Sequence, residues 1–190
     1  IENIVKGITL FKTSQQRISI GMAYPVVKRI IEELKHNPKI EDIQAAGSLR
    51  RMKETVGDID ILVSGAEGTE IVKSFVNMRG VTQILAAGDT KGSVRIEEGV
   101  QVDLRVVRED EFGAALQYFT GSKEHNVHLR EIARKKGLKV SEYGIFKGDK
   151  KVGGRLEEEI YATLGMDWIS PELRENRGEI EAAQEGKLPK

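Results

Sequence analysis

The sequence predicts an α+β protein, a mixed β-sheet packed on helices followed by a smaller α/β unit, and three observations carry that expectation. Between residues 40 and 107, five short apolar runs alternate with turn residues at strand spacing. Two other segments of the first eighty residues repeat their apolar side chains at helical spacing instead. From Glu109 the character changes to longer helical stretches interrupted by two brief strands. A length of 190 residues with 39% hydrophobic and 32% charged side chains suits a folded core rather than a disordered chain.

From the start of the chain, Ile1, Ile4, Val5 and Ile8 keep roughly helical spacing over residues 1–12, and the missing initial methionine reads as a piece cut from a longer protein. Met22, Val26, Val27, Ile30, Ile31 and Leu34 form one apolar stripe, which predicts a core-facing helix over 22–35. Strands are expected at 40–46, 56–64, 81–86, 93–97 and 100–107, with Glu98-Gly99 as the hairpin turn between the last two. A helix at 69–78 crosses between the second and third strands. Past Glu109, helices are expected over 109–119 and 122–136, and short strands at 138–140 and 144–146. A Gly- and Lys-rich turn over 147–154 and a helix over 157–164 follow. Residues 167–171 stop that helix, and the charged stretch 174–190 reads as a surface helix or tail.

Composition excludes several classes. No apolar run reaches the ~18 to 20 residues of a membrane span, and the first residues lack the layout of a signal peptide, so membrane residence is not expected. Without cysteine there is no disulfide frame and no thiolate zinc site. An intracellular, cytoplasmic protein is the expectation, and any metal must sit on oxygen or histidine. The net charge is zero but unevenly spread: +4 over 1–40, −5 over 41–117, +6 over 118–155 and −5 over 156–190. An acidic centre between basic stretches fits a carboxylate metal site bordered by surfaces that hold a polyanion.

The chemistry concentrates in the run from Gly57 to Val63. On a strand, Asp58 and Asp60 share one face while Ile59, Ile61 and Val63 enter the core. Two carboxylates side by side raise each other's pKa, an arrangement that costs stability unless cations bind there. Residues 100–107 alternate in the same way and place Gln101, Asp103 and Arg105 on one polar face. If the two strands are neighbours, three aspartates converge on a space suited to two Mg²⁺ ions, the arrangement used for in-line displacement at phosphorus. Upstream, Gly47-Ser48 with Arg50 and Arg51 follows the first strand, exposing backbone N–H groups and a hydroxyl where a phosphate can sit.

Gly47-Ser48, then Asp58-x-Asp60, then a strand bearing Asp103 resembles the nucleotidyltransferase superfamily of the polymerase beta type. Tyr118-Phe119-Thr120-Gly121-Ser122, followed by Asn126 and Arg130, resembles the sugar and base reader of family X DNA polymerases. Four further segments are similar to the bacterial and archaeal branch called polymerase X: Ser14 to Ile18, Gly88 to Lys91, Phe112 to Gln117 and Glu142 to Phe146. The resemblance covers almost the whole chain in six ordered motifs. It implies a nucleotidyltransferase-type palm followed by a thumb, with residues 1–16 the end of the fingers, 17–108 the palm and 109–190 the thumb.

The resemblance also implies roles. Asp58 and Asp60 would bridge two metal ions, Mg²⁺ or possible Mn²⁺, and Asp103 would bind the catalytic one beside a primer 3′-hydroxyl. Arg17, Gly47, Ser48 and Arg51 would hold the phosphates of a deoxynucleoside triphosphate. Tyr118, Phe119 and Gly121 would pack against its sugar, with a cis peptide after Gly121. Asn126 would meet the minor-groove edge of the incoming base, and Lys123, where some relatives carry an acid, would contact the base or a phosphate. Arg130 would reach the template, and Lys91 and Arg105 would contact DNA. Gln101 stands where vertebrate relatives often have an arginine.

The expected activity is therefore DNA-directed DNA synthesis across short gaps in repair, on primer-template or gapped DNA, by a monomer. The alternatives are a fragment that binds DNA or nucleotide with negligible turnover, and a template-independent nucleotidyltransferase. Some residues carry plainer readings: Tyr118 and Phe119 as helix-end core, and Arg130, Arg134, Lys135 and Lys136 as a solvated face. Trp168 reads as a packing anchor. His125 and His128 read as surface or DNA-facing, since they lack metal-ligand spacing. With three histidines in all, the metallohydrolase domain that the bacterial branch carries behind the thumb is not expected here.

Overall fold

The structure is a computed structural model describing residues 17–189, so the helix expected over 1–12, the fingers segment 1–16 and the Ser14-Gln15-Gln16 part of one motif lie outside the described residues. The first unit holds β1 (Ile18–Ser19), α1 (Ile20–Leu34), β2 (Asp42–Ala45), α2 (Gly47–Arg50), β3 (Thr55–Val56), β4 (Asp58–Ser64), α3 (Gly68–Val76), β5 (Val81–Ala87), β6 (Lys91–Ile96) and β7 (Gln101–Val107). The second holds α4 (Phe112–Thr120), α5 (Lys123–Lys135), β8 (Leu138–Ser141), β9 (Gly144–Lys147), β10 (Lys150–Gly153), α6 (Glu157–Thr163) and α7 (Glu179–Gln184). No helix among the described residues is long and apolar enough to cross a membrane.

Five strands form one mixed sheet in the order β2-β4-β7-β6-β5. The central pair β4 and β7 is parallel and all other pairings are antiparallel. A parallel pair needs a crossover, and the segment α3-β5-β6 supplies it. One sheet face is apolar: Ile59, Ile61, Val63, Val102, Leu104 and Val106 pack under α1 and α3, whose Val27, Ile30, Ile71 and Phe75 are buried among them. Met22, expected in that stripe, is 60% exposed, because the buried face of the helix begins at Ala23 and runs through Val26, Val27, Ile30 and Leu34, leaving Met22 outside it.

The opposite sheet face is divided. At its far end Leu62 packs with Ala46, Phe112, Ala115 and Leu116, so α4 lies across it. At its near end the polar side chains of β4 and β7 stay uncovered by apolar contacts. Gly113 permits the tight stacking behind α4, since a Cβ there would collide with the backbone of Leu156 and Glu157. The second unit has its own core, with Leu129, Ala133, Ile145, Ile160, Tyr161 and Leu164 fully buried.

Three expectations change. The 147–154 turn contains a third strand, β10, which pairs antiparallel to β9 and completes a sheet ordered β10-β9-β8. Its lysines mask the pattern, as they do on edge strands generally. The 174–190 stretch is not merely surface: Arg174 is wholly buried, and α7 docks through Ile180 and Ala183. The two-residue pairing of β1 with β3 also went unread, being too short to show alternation.

The units are tied by ion pairs that centre on Glu157. Its carboxylate accepts from Arg50 Nη1 and Nη2 at 2.7 and 2.9 Å, from Arg174 Nη1 at 2.6 Å and from Trp168 Nε1 at 2.9 Å. These bonds outweigh the cost of burial and hold its pKa down at about 2. The Arg174 guanidinium also lies over the rings of Tyr161 and Trp168. Trp168 is thus a packing anchor, at 38% exposure an incompletely covered one.

Candidate active site

Strand register decides what the aspartates do. In the parallel β4–β7 pair Asp60 stands opposite Asp103 and Asp58 opposite Gln101, on the face that α4 leaves open. Asp58, Asp60 and Asp103 each offer a carboxylate oxygen, and these atoms lie within 4.8 Å of one another. Burial first, and then the charges of Asp58 and Asp103, push the Asp60 carboxyl up to about 7, against the opposing pull of Arg51 and Lys91. Asp58 is raised too, by burial and by Asp103. An oxygen-only donor set that ionises at a cost when empty is one a hard divalent cation stabilises.

Asp103 is oriented from two sides. Gln101 Nε2 donates to both its oxygens at 3.2 and 3.0 Å, and the Ser93 hydroxyl donates to Oδ1. Ser93 escaped the sequence reading, because its partner depends on the exact register of the hairpin. A two-residue turn at Glu98-Gly99 would set Val94 opposite Asp103; the loop is one residue longer, from Glu97 to Gly99, and the register moves to Ser93 opposite Asp103.

Above Asp60, the turn at Gly47 closes in. Ala46 N–H donates to the Asp60 carbonyl at 2.8 Å, and Gly47 has φ of 61°, where a Cβ would collide with the Asp60 carboxylate. Only glycine lets the Ser48 backbone pass so near the acids. Ser48 is half-buried at the start of the four-residue helix α2. Arg51 donates through Nε to Glu175 at 2.9 Å and through Nη1 to the Thr120 carbonyl at 2.5 Å. Arg17 bonds Thr55 and lies close enough to Asp58 to offset a little of the rise that burial and Asp103 impose on its carboxyl. Arg17, Arg51, Lys53, Thr55, Glu172 and Glu175 line a cleft of about 440 Å³.

Tyr118 and Phe119 are half-buried at the end of α4, their rings edge to face with centroids 5.2 Å apart. Arg105 covers Phe119 at 4.7 Å, and both line a cavity of about 120 Å³ with Asp60, Asp103 and Lys91. Lys91 and Arg105, expected to face DNA, therefore border the acidic cluster. The Gly121–Ser122 peptide is cis, and Ser122 caps α5 by accepting from His125 N–H at 3.2 Å. On α5, Asn126 is buried while Lys123 and Arg130 are exposed. His125 is neither at the surface nor facing outward: it is fully buried, with Nδ1 2.7 Å from Glu179 and Nε2 3.1 Å from the Tyr161 hydroxyl. Glu179 reaches it from α7, an element the sequence left weakly defined. His128 is half-buried beside Asn176 and Glu181.

Comparison with known proteins now decides the relationship. Residues 17–106 match the family model for the DNA polymerase beta palm and residues 115–175 the model for the DNA polymerase beta thumb. The chain is 36% identical over 185 residues to DNA polymerase/3'-5' exonuclease PolX of Bacillus subtilis, covering 95% of this chain and 32% of that protein. The chain belongs to the family X DNA polymerases. It is 28% identical over 161 residues to DNA polymerase lambda of Rattus norvegicus, covering 69% of this chain and 28% of the relative. Repair DNA polymerase X of African swine fever virus is 28% identical over 142 residues, 70% of this chain and 82% of the viral protein. Against the first two family X relatives the chain spans about a third of their length.

Proposed function

We propose that this chain is the palm and thumb core of a DNA-directed DNA polymerase that adds deoxynucleotides to a primer 3′-hydroxyl by nucleotidyl transfer, filling short gaps in repair. The observation that carries the reading is the register of Asp60 against Asp103, with Asp58 beside them, on an open sheet face. In this reading residues 17–108 are the palm and 109–190 the thumb, and the protein works as a cytoplasmic monomer on gapped or primer-template DNA.

Asp58 and Asp60 would hold two Mg²⁺ ions, with Asp103 on the one nearest the primer. Those ions would lower the pKa of the attacking hydroxyl and offset charge gathering on the α-phosphate. The remaining work falls to the chain's own groups. Gln101 and Ser93 keep Asp103 turned toward its partners, so the carboxylate needs no reorientation during the reaction. Arg17 and Arg51, which line the adjoining cleft, would offer side-chain donors to the triphosphate, and Ser48 at the start of α2 its backbone N–H and hydroxyl. Tyr118, Phe119 and Gly121 form the wall for the sugar. Asn126 and Lys123 face the incoming base, Arg130 the template, and Lys91 and Arg105 the primer side.

Primer extension on a gapped template with Mg²⁺ tests the reading. Template-directed addition by the wild type, reduced at least a thousandfold in Asp103→Ala, is the expected outcome. No addition by either protein points to a binding fragment, and addition that ignores the template points to a template-independent transferase.

A further inference from the structure

Asn126 is held more completely than a base-contacting side chain needs to be, and what holds it comes from three other elements. Its Nδ2 donates to the Tyr118 carbonyl at 2.7 Å, and its Oδ1 accepts from Gln117 Nε2 at 2.7 Å. Gln117 lies on α4 and is 1% exposed. Gln117 neighbours the Tyr161 hydroxyl on α6, whose own hydrogen bond is to His125 Nε2 at 3.1 Å. His125 Nδ1 meets Glu179 Oε1, and the two Glu179 oxygens also accept from the backbone N–H groups of Asn176 and Arg177 at 2.9 and 2.6 Å.

The direction of every bond in this chain follows from its two ends. Glu179 takes backbone donors on both oxygens and can only accept, so the His125 proton is on Nδ1 and Nε2 must accept. The Tyr161 hydroxyl therefore donates to Nε2, and its oxygen presents only lone pairs to the neighbouring Gln117. At the other end the Tyr118 carbonyl can only accept, which turns the Asn126 Nδ2 toward it and the Oδ1 toward Gln117. The two inferences meet at Gln117: beside a Tyr161 oxygen that has given its hydrogen to His125, the Nε2 end of the amide is the favoured neighbour, and it is Nε2 that donates to Asn126 Oδ1 at 2.7 Å. No buried side-chain nitrogen or oxygen among the described residues is left without a partner, so no alternative orientation is stabilised by a spare group.

We propose that Gln117 is a positioning residue for base-pair selection: packed beside the Tyr161, His125 and Glu179 chain, it holds the Asn126 Oδ1 on itself and so turns the second Nδ2 hydrogen, a donor, toward a ligand. Every correct base pair offers an acceptor at the minor-groove edge of each base. An Asn126 locked as a donor accepts all four incoming bases when they are paired in register and loses its bond when a mispair shifts that edge. This rests on the proposed polymerase reading, because it takes Asn126 as the base contact.

The test is steady-state incorporation of one correct and one incorrect deoxynucleoside triphosphate by wild type, Gln117→Met, Gln117→Glu and Tyr161→Phe. Gln117→Met keeps length and loses the bonds. The expected result is a KM for the correct nucleotide raised roughly tenfold, about 1.4 kcal/mol, with kcat within about twofold. Preference for the correct base should fall by a similar factor. Gln117→Glu, which offers an acceptor to Asn126 Oδ1, should be worse than Gln117→Met, and Tyr161→Phe, which keeps the packing, should shift KM the same way by a smaller factor. In an Asn126→Ala background Gln117→Met should add less than about twofold.

An unchanged KM in Gln117→Met and Tyr161→Phe, with Asn126→Ala impaired, would overturn the proposal and leave the polymerase reading standing. Full additivity in the double variant would overturn it too. An unimpaired Asn126→Ala would remove the base contact itself, and the proposal with it. Independently of turnover, the Asn126 side-chain amide in ¹⁵N-labelled wild type should show slowed hydrogen exchange at one hydrogen, lost in Gln117→Met or, should that variant fail to fold, in Tyr161→Phe. Fast exchange at both hydrogens in the wild type contradicts the lock.

Discussion

Gly47 and Asp60 show how closely single residues are matched at the acidic cluster. Gly47 has a positive φ and no room for a methyl group beside the Asp60 carboxylate. Gly47→Ala is expected to cost only about 1 to 2 kcal/mol of stability while lowering primer extension about a hundredfold or more, since a shift of order 1 Å in the turn or the carboxylate is enough. Melting curves beside extension rates separate the two effects. For Asp60 the sign runs the other way. Its carboxyl is raised from 3.8 to about 7, so the folded state binds a proton more tightly than the unfolded one. Metal-free stability is therefore favoured below the unfolded value and declines as pH rises through about 7. Asp60→Asn should raise the metal-free melting temperature at pH 8 by about 2 to 4 °C, for about 1 kcal/mol, and do so much less at pH 5, while abolishing activity. These positions were legible because strand alternation puts Asp58, Asp60 and Asp103 on one face. Ser93 and Gln117 were not, since their importance lies in partners that only register and helix packing reveal.

At the scale of elements, α2 and α6 are coupled by Arg50, Glu157 and Arg174. Removing the charge of Glu157 leaves the fully buried Arg174 without its counter-ion, so Glu157→Gln is expected to destabilise the protein by about 3 kcal/mol. The carboxyl pKa is depressed from 4.5 to about 2, so its stabilisation is complete above about pH 4.5 and disappears as pH falls toward 2. Urea unfolding of wild type and Glu157→Gln should thus differ at pH 7 and converge by pH 2 to 3. The sequence showed the sheet strands, α1, α3 and α5 within a residue or two of their observed ends, because each buries one periodic face. It hid β10, whose only apolar side chain is Val152, and α7, six residues long. Short elements owe their conformation to what they dock against, and a pattern of one or two apolar residues cannot announce that.

For the whole molecule, zero net charge conceals a division that bears on DNA. The stretch 118–155 carries an excess of six positive charges, and lysines and arginines there with no acid beside them are free to meet phosphates. Affinity for gapped DNA should fall steeply with salt, by about tenfold or more between 50 and 200 mM, and fluorescence anisotropy across that range would measure it. A flat response would locate the binding elsewhere. The change of character at Glu109 is legible in the sequence, whereas the contacts between the sheet and the helices that follow are not, because they depend on arginines that in the sequence looked reserved for phosphate. Arg50 ends α2 and Arg51 follows it, and both reach across to the second unit, one to Glu157 and the other to Glu175 and the Thr120 carbonyl. The loop proposed to cradle a nucleotide's tail is thus leashed to the half of the protein proposed to inspect the base, so displacing either half would have to stretch or break these charged contacts.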